Sequence, residues 1–139
     1  MKKGRRRRKK RTKKKATSEA SEEDKRQALS KATSLIEEEI KASADTPDLY
    51  IFHQANEFIV KSMAKNMKLD AEKLILSVKE YGNTGPASIP LALCDAYMSD
   101  PDRYKNAKNA MMAGFGVGLT LATLLTDISE TEFCGVEEI

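Results

Sequence analysis

Leu49-Tyr50-Ile51-Phe52-His53-Gln54-Ala55-Asn56 is the stretch on which the reading of the whole chain turns. Its first four residues form an unbroken apolar run, rich in aromatic and branched side chains, of a length that suits a strand covered on both faces. Asp45, Thr46 and Pro47 separate this run from what precedes it. The residue before a proline is pushed out of the helical region, and the proline has no N–H to donate. His53 therefore stands at the C-terminal end of the strand. Beyond it, Ile59, Val60, Met63, Ala64 and Met67 fall on one stripe and Lys61, Lys65 and Lys68 on the other side, which predicts an amphipathic helix.

Upstream, Ser21 is read as an N-cap followed by Glu22, Glu23 and Asp24 at the positive end of a helix dipole. Ala28, Ala32, Leu35, Ile36 and Ile40 recur at helical spacing and predict an amphipathic helix that ends before Pro47. Downstream, Leu74 to Val78 reads as a second buried strand, and Tyr81-Gly82-Asn83-Thr84-Gly85-Pro86 as a turn. A helix over about Ala87 to Met98 carries Ile89, Leu91, Leu93 and Cys94 with almost no polar face in its first two turns, a pattern that belongs inside a larger body. Ala110 to Ala113 and Leu119 to Leu125 read as paired strands around the turn Gly114-Phe115-Gly116-Val117-Gly118. Strands and helices alternating before a closing hairpin predict an α/β layered fold.

The chain of 139 residues, 40% of them hydrophobic, has room for one ordinary core. No apolar run reaches the roughly 18 residues of a membrane span, and no apolar segment follows the N-terminal charges as in a signal peptide, so a cytoplasmic location is expected. Cys94 and Cys134 are too few for a disulfide framework and have no metal-ligand spacing with His53, the single histidine; no metal is expected, and both cysteines read as reduced thiols. Charge is divided unevenly. Residues 1–15 hold 12 of the 24 Lys and Arg and no acid, whereas the remainder holds 12 basic against 21 acidic side chains, a net of −9. Residues 1–18 are expected to be a disordered polybasic arm and residues 19–139 the folded domain. Such an arm can neutralise nucleic-acid phosphates or other anionic partners, but lacks the interleaved aromatics that stack on bases.

Three segments carry candidate chemistry: His53-Gln54-Ala55-Asn56, Tyr81-Gly82-Asn83-Thr84-Gly85 and Gly114-Phe115-Gly116-Val117-Gly118-Leu119-Thr120. Taken singly, a strand-end histidine is more often a packed structural residue, an Asn-Gly turn reflects tolerance of left-handed geometry, and a glycine-rich hairpin is a hairpin. Taken in order, with 30 positions from His53 to Asn83 and the Ser88-Ile89-Pro90-Leu91-Ala92-Leu93 helix and glycine-rich turn following, they resemble the beta-ketoacyl-acyl-carrier-protein synthase III family over roughly 80 residues. The resemblance implies the C-terminal half of a thiolase-like fold. It also implies an acyltransferase that condenses an acyl-coenzyme A with malonyl-acyl carrier protein in fatty acid or related biosynthesis. His53 and Asn83 would be catalytic, each offering an N–H to a thioester oxygen that gains negative charge. The backbone of Phe115, Gly116, Val117 and Gly118 would help form a second oxyanion hole. Gln54, Asn56 and Phe58 would face the carrier protein or coenzyme A. No cofactor is implied beyond the acyl-coenzyme A and malonyl-carrier substrates.

The chain also departs from that pattern. The family's nucleophilic cysteine lies well upstream of the histidine motif, where this sequence offers only Lys and Arg. Cys94 sits two turns inside a helix, away from an activating dipole end, and Cys134 lies in a polar tail. Glu57 and Phe58 stand where family members commonly carry a basic residue that meets the acidic carrier. Gly85-Pro86 and Leu121 replace a serine and an aromatic common elsewhere. The expectation is an incomplete site, inactive alone and completed by a complementary N-terminal half or by oligomerisation. A binding module acting through the basic arm is the alternative.

Overall fold

Four apolar residues in a row can be hidden only if the strand is covered on both sides, and Leu49–Phe52 (β1) is buried at every position. β1 pairs in parallel with Ala110–Gly116 (β2), in the register Leu49 to Ala110 through Phe52 to Ala113. β2 in turn pairs antiparallel with Thr120–Thr126 (β3), giving a three-stranded mixed sheet in the order β1-β2-β3. Asp48 sets where the parallel pairing begins. Its carboxylate accepts from Lys108 N and Asn109 N while its own N–H donates to Asn109 O, so both chain directions are pinned one residue before the ladder.

This computed structural model describes residues 23, 24, 26, 27, 29–116 and 120–137. The chain divides into two compact units, residues 1–31 and 32–139. The described residues of the first are helical, and the expected division after Ser18, together with the Ser21 cap and the basic arm, lies outside the described residues.

In the second unit a helix over residues 32–42 (α1) buries Ala32 and Ile36. Leu35, expected on the same face, is exposed instead. At 3.6 residues per turn it projects about 100° from the middle of the stripe made by Ala32, Ile36 and Ile40. Glu57–Asn66 (α2) follows β1 and buries Val60, Met63 and Ala64, while Lys61, Lys65 and Lys68 face solvent as the sequence predicts.

The strand expected over Leu74 to Val78 does not form. Leu74 makes a single parallel bridge to Tyr50, preceded by a 3-10 turn at Ala71–Lys73 and followed by the short helix Val78–Tyr81 (α3). The ladder stops because a side chain takes over from it. Gln54, 1% exposed, donates its amide to Phe52 O and Ile75 O, and its carbonyl oxygen accepts from Ser77 N and Val78 N. Buried backbone groups need partners, and Gln54 supplies them without a further strand.

Ser88–Ser99 (α4) matches the predicted apolar helix and packs on β1. The core cluster on that side joins Leu49, Ile51, Ile75, Ala92, Leu93 and Ala110. Its remaining surface is left partly open, with Pro90 and Met98 exposed. Pro101–Lys105 (α5) was not expected. Asp100 caps it by accepting from Arg103 N, and Pro101 occupies the first turn, where its missing N–H costs nothing. β2 and β3 pair as the expected hairpin strands, but β2 runs on through Phe115 to Gly116, so Gly114, Phe115 and Gly116 belong to a strand and not to the expected turn. Val117 and Gly118 lie outside the described residues. No helix among the described residues is long and apolar enough to cross a membrane.

Candidate active site

The backbone N–H of His53 donates to Ala113 O at 2.8 Å, which prolongs the β1-β2 ladder by one residue and fixes the histidine at the strand end. Ala55 N then bonds back to His53 O, and the chain turns into α2. Asn56 is the N-cap of α2: its Oδ1 accepts from Ile59 N at 2.8 Å.

On the other side of the imidazole, the first residue of α4 reaches in. Ser88 Oγ lies 2.7 Å from His53 Nδ1 and accepts from Gln54 N at 3.3 Å. Phe115 meets the ring edge-on, with centroids 5.1 Å apart. Burial lowers the His53 pKa below the ordinary imidazole value, which favours the neutral ring. Nδ1 is engaged by Ser88, and among the described residues no hydrogen bond to Nε2 is formed.

Asn83 sits in an exposed loop between two glycines at positive φ, Gly82 at 67° and Gly85 at 61°. Only glycine adopts that geometry without strain, and here it lets the loop double back before α4. Gly85 N donates to Asn83 Oδ1 at 3.0 Å, which orients the carboxamide. Tyr81 ties the loop's origin to α4 through a 2.8 Å bond from its hydroxyl to Asp95. No hydrogen bond joins His53 to Asn83 among the described residues, but the residue that touches the imidazole is five positions downstream of Asn83. Five residues span at most about 17 Å even fully extended, and three of the intervening positions, Gly85–Ala87, form a 3-10 turn.

The residues expected to face a carrier behave differently from one another. Gln54 is not a surface residue; it is the buried bracket described above, with no face to offer a partner. Asn56 is solvent-exposed but has its oxygen committed to the cap. Phe58 is 79% exposed, beside the Glu57–Lys61 ion pair at 2.5 Å. Replacing Phe58 with serine is accordingly expected to leave urea stability within about 0.5 kcal/mol of the parent; a loss above about 1 kcal/mol would show that the ring is packed. Phe115 contributes a side-chain wall to the histidine rather than a turn backbone.

Ser88 was missed by sequence reasoning. Its signal was a lone hydroxyl at the start of an otherwise apolar helix. Among the described residues no cluster of His, Cys, Asp and Glu is arranged to hold a metal. Cys94 is half-buried inside α4 and Cys134 is exposed, and neither belongs to the histidine's surroundings described above. A cleft of about 380 Å³ lined by Tyr97, Tyr104, Phe133 and neighbours shares no residue with this site.

A strand-end imidazole with Phe115 beside it, and an Asn83 loop bent between two glycines, stand on a mixed sheet of thiolase-like type. The family described as 3-oxoacyl-[acyl-carrier-protein (ACP)] synthase III, C terminal, matches residues 38–128, well over half of the chain, and the chain belongs to it. The beta-ketoacyl-[acyl-carrier-protein] synthase III of Synechocystis is 42% identical over 100 residues, which cover 70% of this chain and 30% of that protein. That of Streptococcus gordonii is 33% identical over 104 residues, covering 73% and 32%. The crystal structure of the 3-oxoacyl-(acyl-carrier protein) synthase of Burkholderia xenovorans superposes with a TM-score of 0.67 at 32% identity, covering 77% of this chain and 31% of that one. The chain thus spans about a third of the length of the relatives it matches.

Proposed function

We propose that this chain supplies the histidine–asparagine part of a ketoacyl-ACP synthase III-type site, for decarboxylative Claisen condensation of an acyl-coenzyme A with malonyl-acyl carrier protein in the cytoplasm. The observation that carries the reading is the imidazole itself, fixed at the strand end with Nδ1 engaged by Ser88 and its pKa lowered by burial. In this reaction the bond from the malonyl α-carbon to its carboxylate breaks, CO2 departs, and the electron pair moves onto the thioester oxygen as an enolate. His53 Nε2–H and Asn83 Nδ2–H are the donors that stabilise that oxygen, in a site where neither donor carries charge in the ground state. The enolate carbon then attacks an acyl-cysteine carbonyl and the thiolate leaves. In this reading the cysteine comes from outside residues 1–139, on a family-type N-terminal half.

The purified chain alone is expected to take up no acetyl group from radiolabelled acetyl-coenzyme A. Addition of a separately produced N-terminal half of a relative, bearing its cysteine, is expected to restore both acyl uptake and condensation. Stable acetylation of the chain alone, at Cys94 or Cys134, would overturn the assignment of the nucleophile to another segment. Failure of every folded combination to condense would overturn the reading as a whole.

A further inference from the structure

We propose that the Ser88 hydroxyl is a positioning residue that sets the tautomer of His53, donating to Nδ1 and so keeping the proton on Nε2. A serine hydroxyl has one proton to give and two lone pairs with which to accept. Ser88 is 1% exposed, so its partners must come from the protein, and it has two: His53 Nδ1 at 2.7 Å and Gln54 N at 3.3 Å. The Gln54 amide can only donate, which commits one lone pair of Oγ. The hydroxyl proton is then left with a single acceptor, Nδ1. Were Nδ1 protonated instead, Oγ would accept twice and its own proton would be stranded in a buried site. The geometry on the opposite side agrees, because the His53 backbone is anchored to Ala113 and the ring edge to Phe115, so the imidazole has little freedom to turn away from Oγ.

The functional relevance of this tautomer rests on the proposed condensation, since an Nε2–H can donate to a thioester oxygen and a bare Nε2 cannot. The tautomer itself is measurable without substrate. His53 is the only histidine in the chain, so uniform labelling with 15N-histidine gives one imidazole, whose protonated and bare nitrogens resonate in separate regions. Long-range 1H–15N correlation of the full chain at about pH 8, above the ordinary imidazole pKa of about 6.5, is expected to place Nε2 in the protonated region and Nδ1 in the bare region. In Ser88→Ala both nitrogens should move toward intermediate, exchange-averaged positions, and Ser88→Thr should restore the parent pattern. A protonated Nδ1 in the parent overturns the proposal, as does a folded Ser88→Ala variant with an unchanged spectrum. If Ser88→Ala does not fold, the parent and Ser88→Thr decide: Nδ1 bare in both supports it, and Nδ1 protonated in either overturns it. Loss of condensation in the reconstituted enzyme with the tautomer intact would count against the proposed function and not against this assignment.

Discussion

Asn83→Asp is expected to abolish condensation in the reconstituted enzyme, with kcat falling about 10²- to 10³-fold, while leaving the fold in place. The substitution is nearly isosteric. An aspartate oxygen can still accept from Gly85 N, as Asn83 Oδ1 does at 3.0 Å, so the turn between Gly82 and Gly85 keeps its shape. What changes is the group left over: an NH2 that donates to an enolate oxygen becomes a carboxylate oxygen that repels it. The loop is exposed, and the new charge should be solvated and cost little stability. Circular dichroism melting should therefore match the parent while the condensation assay fails. An Asn83→Asp enzyme that retains more than about a tenth of parental kcat would remove Asn83 from the oxyanion site.

Gln54→Leu is expected to have the largest effect on stability, about 2 to 5 kcal/mol. Leucine fills a similar volume but accepts nothing, so Ser77 N and Val78 N lose their acceptor, at about 1–3 kcal/mol for each buried unsatisfied group. Phe52 O and Ile75 O lose a donor as well. Gln54→Glu separates the two halves of the bracket. It retains both acceptor contacts but replaces the donor by an oxygen facing two carbonyls, and should also be destabilised. Urea denaturation should show a lower midpoint with unchanged slope. A Gln54→Leu midpoint within error of the parent would mean that water or a rearranged backbone satisfies those amides.

These two residues also mark what the sequence could and could not convey. α2 was legible because it buries one face, which imposes a period of 3.6 on its apolar positions, while β1 and α4 were legible as apolar runs too long to be left in water. The order and spacing of His53 and Asn83 were legible through resemblance. Leu74 to Val78 was misread because Leu74, Ile75 and Val78 are as apolar as any strand. Nothing local to them says that a glutamine twenty residues earlier will satisfy their backbone. α5 was missed although its signal was present in Asp100 as cap and Pro101 behind it. The role of Ser88 depends on a contact 35 positions away in sequence, which no pattern within α4 discloses.

The parallel pairing of β1 with β2 carries a consequence for how the molecule is made. His53 is held by a carbonyl on Ala113, 60 residues further along. A ribosome must therefore extend the chain by 60 residues beyond His53 before the strand end that bears the imidazole has this carbonyl to bind. Until then β1 is a nascent, fully apolar segment with both edges unpaired, which is when such a segment is most prone to associate with others. Pairing over this separation is entropically slow, so closing the 60 residues between His53 and Ala113, more than any local step, sets how soon the histidine is in position.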